Sequence, residues 1–147
     1  MTRKLAVACS IGVLALSVGA TPAMAGHDGS CGYAMEDGDV CLYRDSGFQG
    51  GMLDFTRTDK NYTSAADVFY AGHLTPTTVN INDQASSIIN QEGYCEWWFY
   101  ENAEFGGSGF VMYNIDPTFD SLGAYNDRLS SHYKWTGWTE CTNGSTG

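Results

Sequence analysis

Hydrophobic and polar positions come in short bursts along this chain, broken every few residues by Gly, Asn, Asp or Ser. Apolar and aromatic runs at 40–43, 51–55, 87–90, 94–100, 109–113 and 132–135 suit strands. No segment keeps a 3.6-residue period for long, because Gly or Pro intervenes within about two turns. Residues 64–70 make the best candidate for a short helix. Short, closely spaced strands separated by turn signals predict an all-β sandwich.

The N-terminus follows a different pattern. A basic start, Met1-Thr2-Arg3-Lys4, precedes an apolar run over 5–19 and the small-residue stretch Ala23-Met24-Ala25. That layout predicts a signal peptide over 1–25, cleaved after Ala25, and a secreted, extracellular product. The run is too short to span a bilayer, and no other stretch approaches the ~20 apolar residues required, so no membrane insertion is expected after cleavage. Cleavage removes Arg3 and Lys4, leaving 5 Lys+Arg against 17 Asp+Glu, a formal charge of −12. A surface of that sign repels phosphate backbones, which argues against a nucleic-acid partner and suits cations.

Cys9 falls within the signal, and Cys31, Cys41, Cys95 and Cys141 remain. An even count in a small secreted chain predicts two disulfides, with three connectivities open. Cys31–Cys41 with Cys95–Cys141 is the favoured pairing: the first closes a short loop, the second ties the C-terminal region to the middle of the chain. Zinc is disfavoured, because no C-x-x-C and no paired His occur.

An internal repeat carries the most information. Tyr43-x4-Phe48-x-Gly50 matches Tyr100-x4-Phe105-x-Gly107. Asn82-Asp83-Gln84-Ala85-Ser86-Ser87 matches Asn126-Asp127-Arg128-Leu129-Ser130-Ser131, in the same order. The interval from Gly50 to Asn82 exceeds that from Gly107 to Asn126 by 13 residues, placed between Asn61 and Thr78. In the first motif the chain folds over itself as a hairpin, with Gly supplying positive φ and the aromatic capping the fold from the core side. In the second, short polar side chains hold an open loop, and the second Ser of each copy can lock the neighbouring hairpin.

Both motifs resemble those of the βγ-crystallin domains, whose unit is a four-stranded Greek key with a (Tyr/Phe)-x4-(Phe/Tyr)-x-Gly hairpin and, in microbial members, an (Asn/Asp)-(Asn/Asp)-x-x-(Ser/Thr)-Ser loop. The resemblance implies a sandwich of two paired keys over 40–90 and 95–135, disulfide-stabilised. Those keys lie in a domain over 40–141, between an arm over 26–39 and a tail over 142–147. The signal, the early Cys pair and the stretches around Cys41-Leu42-Tyr43-Arg44 and Asn82-Asp83-Gln84 are similar to secreted bacterial proteins of the metalloproteinase-inhibitor family of crystallin fold. That grouping implies inhibition of an extracellular metallopeptidase. It transfers no inhibitory residue to this chain, although an exposed loop at 62–78 or the stretch after Trp135 could supply one.

The crystallin resemblance also implies up to two calcium ions. By it, Gln84 and Arg128 give backbone carbonyls, Ser86 and Ser130 give hydroxyls, and Arg44 and Glu101, next to the hairpin aromatics, give further carbonyls. Asn82 and Asn126 open the loops, and Asp83 and Asp127 add charge. Calcium takes 6–8 such oxygens, and few carboxylates per site predict affinity on the order of 10⁻⁵ to 10⁻³ M. The competing reading makes these loops ion-free Asx and Ser turns, and the acidic balance favours calcium.

His27, His73 and His132 have no nucleophile motif or His partner beside them, so no enzyme activity is predicted. Trp97, Trp98, Trp135 and Trp138 allow an alternative function, a glycan- or cell-surface-binding module. Packing in the core is the commoner fate of such side chains. Adjacent Trp97 and Trp98 must point to opposite faces of a strand.

Overall fold

The computed structural model describes residues 27–33, 38–114, 117–135 and 137. The predicted signal peptide, Cys141 with its pairing to Cys95, Trp138 and the 142–147 tail lie outside these residues. The described strands are β1 (Val40–Asp45), β2 (Gln49–Phe55), β3 (Val68–Tyr70), β4 (Pro76–Asn80), β5 (Ser87–Asn90), β6 (Glu96–Asn102), β7 (Gly106–Met112), β8 (Thr118–Phe119) and β9 (Ser131–Trp135). Single 3-10 turns occupy Ala103–Phe105 and Gly123–Tyr125. One sheet runs β4-β3-β2-β1-β5-β8, the other β7-β6-β9, and all their pairings are antiparallel.

The two keys exchange chain. From the second key, β8 pairs with β5 of the first through Ile88↔Phe119 and Ile89↔Thr118. In return Asp59 bridges His132 on β9, with amide–carbonyl bonds of 3.1 and 2.8 Å in the two directions. The extra chain of the first key follows that bridge and folds into the β3–β4 hairpin, which extends the sheet beyond β2.

The helix predicted over 64–70 is absent. Ser64 instead starts a turn, its Oγ accepting from the Ala66 amide at 3.2 Å and its carbonyl from the Asp67 amide at 3.2 Å, and the chain then enters β3. Asn80 Nδ2 secures this path by donating to the Ser64 and Asp67 carbonyls. Side-chain bonding of this kind competes with helix formation.

The sandwich interior is filled from both sheets by Leu42, Leu53, Phe55, Ile88, Trp97 and Phe99, joined by Tyr62 from the segment after β2. Near its centre sits His132, fully buried, with ring centroids of Phe55 at 4.5 Å and Trp97 at 5.2 Å. Its Nδ1 is 2.6 Å from the Tyr62 hydroxyl and its Nε2 2.8 Å from the Arg57 carbonyl. An Nε2–H donating to the carbonyl leaves Nδ1 to accept from the phenol, so both nitrogens are satisfied by the neutral ring. Burial pushes its pKa down to about 4.

A second buried polar group joins the keys. Lys134 Nζ on β9 lies 2.5 Å from Glu92 Oε2, with neither side chain exposed. The ammonium also donates to the Thr56 carbonyl at 3.0 Å and stands 5.4 Å from the Trp97 ring centroid.

The described start of the N-terminal arm is fastened to β2 at Asp54. The Asp54 carboxylate accepts from the Asp28 and Gly29 amides at 3.2 and 2.9 Å, and His27 Nδ1 bonds the Asp54 carbonyl. Cys31 and Cys41 form the first predicted disulfide, with Cα atoms 5.9 Å apart.

Candidate functional site

Each folded hairpin is built as its motif requires. Gly50 and Gly107 have φ of 79° and 76°, and a Cβ on Gly50 would meet the Asp45 carboxylate. Phe48 packs edge-on to Tyr43, and Phe105 lies tilted against Tyr100, both at 5.7 Å. The tyrosines are half-buried while their neighbours Leu42 and Phe99 are fully buried, so strand alternation puts them on the outer face. They cap the hairpins from outside, not from the core side.

The second Ser of each loop supplies the lock. Ser87 Oγ donates to the Asp45 carbonyl at 2.7 Å and accepts from the Phe48 amide at 3.0 Å. Ser131 Oγ repeats this with the Asn102 carbonyl at 2.7 Å and the Phe105 amide at 3.2 Å.

The two Asn-Asp loops then meet across the keys. Asp83 donates its amide to the Leu129 carbonyl and Asp127 to the Ala85 carbonyl, both at 3.0 Å. Ser86 and Ser130 donate their amides to the Tyr43 and Tyr100 carbonyls, which seats them beside the hairpins. Their hydroxyls cross over: Ser86 Oγ donates to Asp127 Oδ1 at 3.3 Å, and Ser130 Oγ to Asp83 Oδ1 at 3.2 Å. Asn82 and Asn126 each donate Nδ2 to Oδ2 of the following Asp, at 2.8 and 2.7 Å. Every carboxylate therefore has one oxygen held by its own loop and the other turned to the serine of the opposite key.

The remaining residues named from the sequence fall around these clusters. Arg44 lies where the β1–β2 register breaks between Tyr43 and Asp45, and Glu101 where the β6–β7 register breaks between Tyr100 and Asn102. At each break the extra residue lies on the partner strand: Gly50 and Gly51 of β2 stand opposite Arg44, and Gly107 and Ser108 of β7 stand opposite Glu101. Arg44 pairs locally, whereas Arg128 lines the Asp83–Ser130 side together with its partner Glu101. Arg44 Nε pairs with Asp45 at 3.3 Å, while Arg128 bonds Glu101 Oε1 at 2.8 Å and the Ala124 carbonyl at 3.2 Å. Gln84 is exposed, its amide donating to the Asp83 carbonyl at 2.8 Å.

An open depression of about 570 Å³ covers the Asp83–Ser130 side, lined also by Glu101 and by Asn61 and Thr63. Those last two were not singled out as site residues. They come from the start of the inserted chain, where Asn61 Oδ1 accepts from the Thr63 amide and hydroxyl, and nothing in the repeat points to them. Among the described residues no three His, Cys, Asp or Glu side chains converge as a metal-binding group. The converging groups are single carboxylates with hydroxyl and carbonyl oxygens. This hard, mostly neutral donor set fits calcium better than zinc.

Comparison with known proteins agrees with this architecture. The family model for peptidase inhibitor family I36 matches residues 32–112, more than half of the chain. A structure from work on the evolution of the eye-lens βγ-crystallin domain fold is 20% identical, with TM-score 0.56, covering 76% of this chain and 97% of that one. The N-terminal domain of Protein S is 18% identical, with TM-score 0.52 and coverages of 67% and 97%. A βγ-crystallin domain from Flavobacterium johnsoniae is 22% identical, with TM-score 0.50 and coverages of 68% and 98%. No curated protein matches the chain. At these identities the solved structures speak for the fold alone. The paired keys and the family match lead to one assignment: the chain belongs to peptidase inhibitor family I36, built on a βγ-crystallin fold.

Proposed function

We propose that this is a secreted inhibitor of an extracellular metallopeptidase, acting by binding rather than catalysis, with calcium stabilising its crystallin fold. The family match supports inhibition. The observation that carries the calcium reading is the crossed pair of clusters, Ser86 with Asp127 and Ser130 with Asp83, each joining a hydroxyl from one key to a carboxylate from the other. An ion at either cluster would bridge the two keys. At free calcium 100-fold above Kd, each site would add ~2.7 kcal/mol to stability.

Calorimetric titration of calcium into EDTA-stripped protein spanning 26–147 tests the metal. Two-site heat that disappears in Ser86→Arg with Ser130→Arg supports it, and a flat trace at millimolar calcium reduces both loops to structural turns. A panel of extracellular zinc and serine endopeptidases tests inhibition, and a panel wholly unaffected removes that reading.

A second reading rests on the outer face of the smaller sheet. Trp98 and Tyr133 are register partners there and are 39% and 38% exposed, while Trp97 points inward and is fully buried. Side-by-side exposed aromatics suit stacking on sugar rings. Retention on insoluble cell wall, lost in Trp98→Ala, would favour a glycan-binding module.

A further inference from the structure

Among the described residues, six that are not glycine have positive φ: Phe48, Leu74, Asp83, Glu104, Phe105 and Asp127. Five belong to the repeated turns. Phe48 corresponds to Phe105, Asp83 to Asp127, and Glu104 to Gly47, itself at φ 69°. Leu74, at φ 54°, is the exception, because it lies in the inserted hairpin between β3 and β4 and has no counterpart in the second key. Left-handed backbone is costly for a large side chain and persists only where surrounding structure imposes it.

That structure is visible. The Leu74 amide donates to the Asp28 carbonyl at 2.6 Å, and Asp28 is gripped by the Asp54 carboxylate in an arm closed by the Cys31–Cys41 disulfide. Within the hairpin, Ala71 and Thr75 amides bond the Thr75 and Gly72 carbonyls at 2.9 Å, and Thr75 Oγ1 bonds the His73 carbonyl. None of this bracing serves the core, since the Leu74 side chain is 67% exposed, more than any other large apolar side chain among the described residues. The tip 71–75 also carries no carboxylate in a strongly acidic chain.

We propose that this hairpin is the inhibitory contact, with Leu74 entering the apolar specificity pocket of a zinc endopeptidase that selects large aliphatic residues. The proposal rests on the inhibitor reading above and names its contact. A preformed loop loses little freedom on binding. The left-handed backbone at Leu74 also keeps the chain from lying extended across the catalytic centre, so the pocket is filled while the adjacent carbonyls are held away from attack.

Thermolysin is the probe, assayed with the full secreted chain as wild type, Leu74→Ala and Leu74→Gly, each with its Tm. Wild type should inhibit, and Leu74→Ala should raise Ki about 30-fold, as loss of a buried anchor does. Leu74→Gly should raise Ki at least as much while keeping or raising Tm, because glycine accepts this φ freely. A wild-type protein without effect on thermolysin overturns the assignment as stated, and the wider peptidase panel then decides the inhibitor reading separately. Inhibition that stays within twofold in both variants overturns the hairpin and leaves that reading intact. A Leu74→Gly protein that loses both Tm and inhibition shows a structural leucine and also overturns the proposal.

Discussion

Lys134 and Glu92 form a fully buried ion pair at 2.5 Å where the first key, the linking segment and the second key meet, and removing one partner is the sharpest test of how the keys are joined. In Glu92→Gln the ammonium keeps the Thr56 carbonyl and the face of Trp97 but loses its counter-charge. An uncompensated buried charge of this kind costs about 3–5 kcal/mol. For a folded unit near 120 residues, about 4 kcal/mol corresponds to a fall in Tm of roughly 15 °C. Replacing both partners, Glu92→Leu with Lys134→Met, removes the desolvation cost along with the attraction and should recover most of that loss. Urea unfolding followed by tryptophan fluorescence gives both values, since Trp97 sits against the ammonium. A Glu92→Gln loss below about 1 kcal/mol, or a double variant no better than the single, would refute the picture of a sealed, mutually dependent pair.

Two further outcomes follow from groups already placed. Ser131→Ala unpairs the Asn102 carbonyl and the Phe105 amide, and Ser87→Ala does the same to Asp45 and Phe48, so each should lower stability by about 1–3 kcal/mol in chemical denaturation. A loss in one key only would break the equivalence of the two hairpins. Burial, and then the charge of Asp59, raise the Asp67 carboxyl to about 6, so the fold carries an unfavourable charge above that pH. As pH falls from 6 to 3.8 the native state takes up the proton first and the penalty disappears. Asp67→Asn should therefore raise Tm at pH 7.5 with the gain fading to nothing below pH 4, and a lower Tm at pH 7.5 would contradict this.

Much of the architecture is written locally. The hairpin motifs, the locking role of Ser87 and Ser131, the opposite facing of Trp97 and Trp98 and the Cys31–Cys41 bond all depend on residues near in sequence or repeated at fixed spacing. What escaped depends on partners far along the chain. The polar strand β4, which opens with Pro76, gains its identity only by pairing with β3, and Ser64 turned the expected helix into a turn. The outward face of Tyr43 is not legible in the motif, which does not say which side of the strand is core. The crossed pairing of Asp83 with Ser130 and the meeting of Lys134 with Glu92 are tertiary relations that no local pattern encodes.

The crossing has a consequence for how such a domain folds and arose. The bonds Ser86–Asp127 and Ser130–Asp83 close chain loops of 41 and 47 residues, so neither cluster exists until both keys have docked. The cost of closing those loops falls before the reward, which favours slow, all-or-none folding over stepwise assembly. A half-length chain carrying one key would hold an Asp and a Ser that never meet within it. Two copies related by a twofold axis would bring them together, so a symmetric dimer of a single-key ancestor would already have possessed both clusters, and fusion into one chain would only have made their partnership permanent.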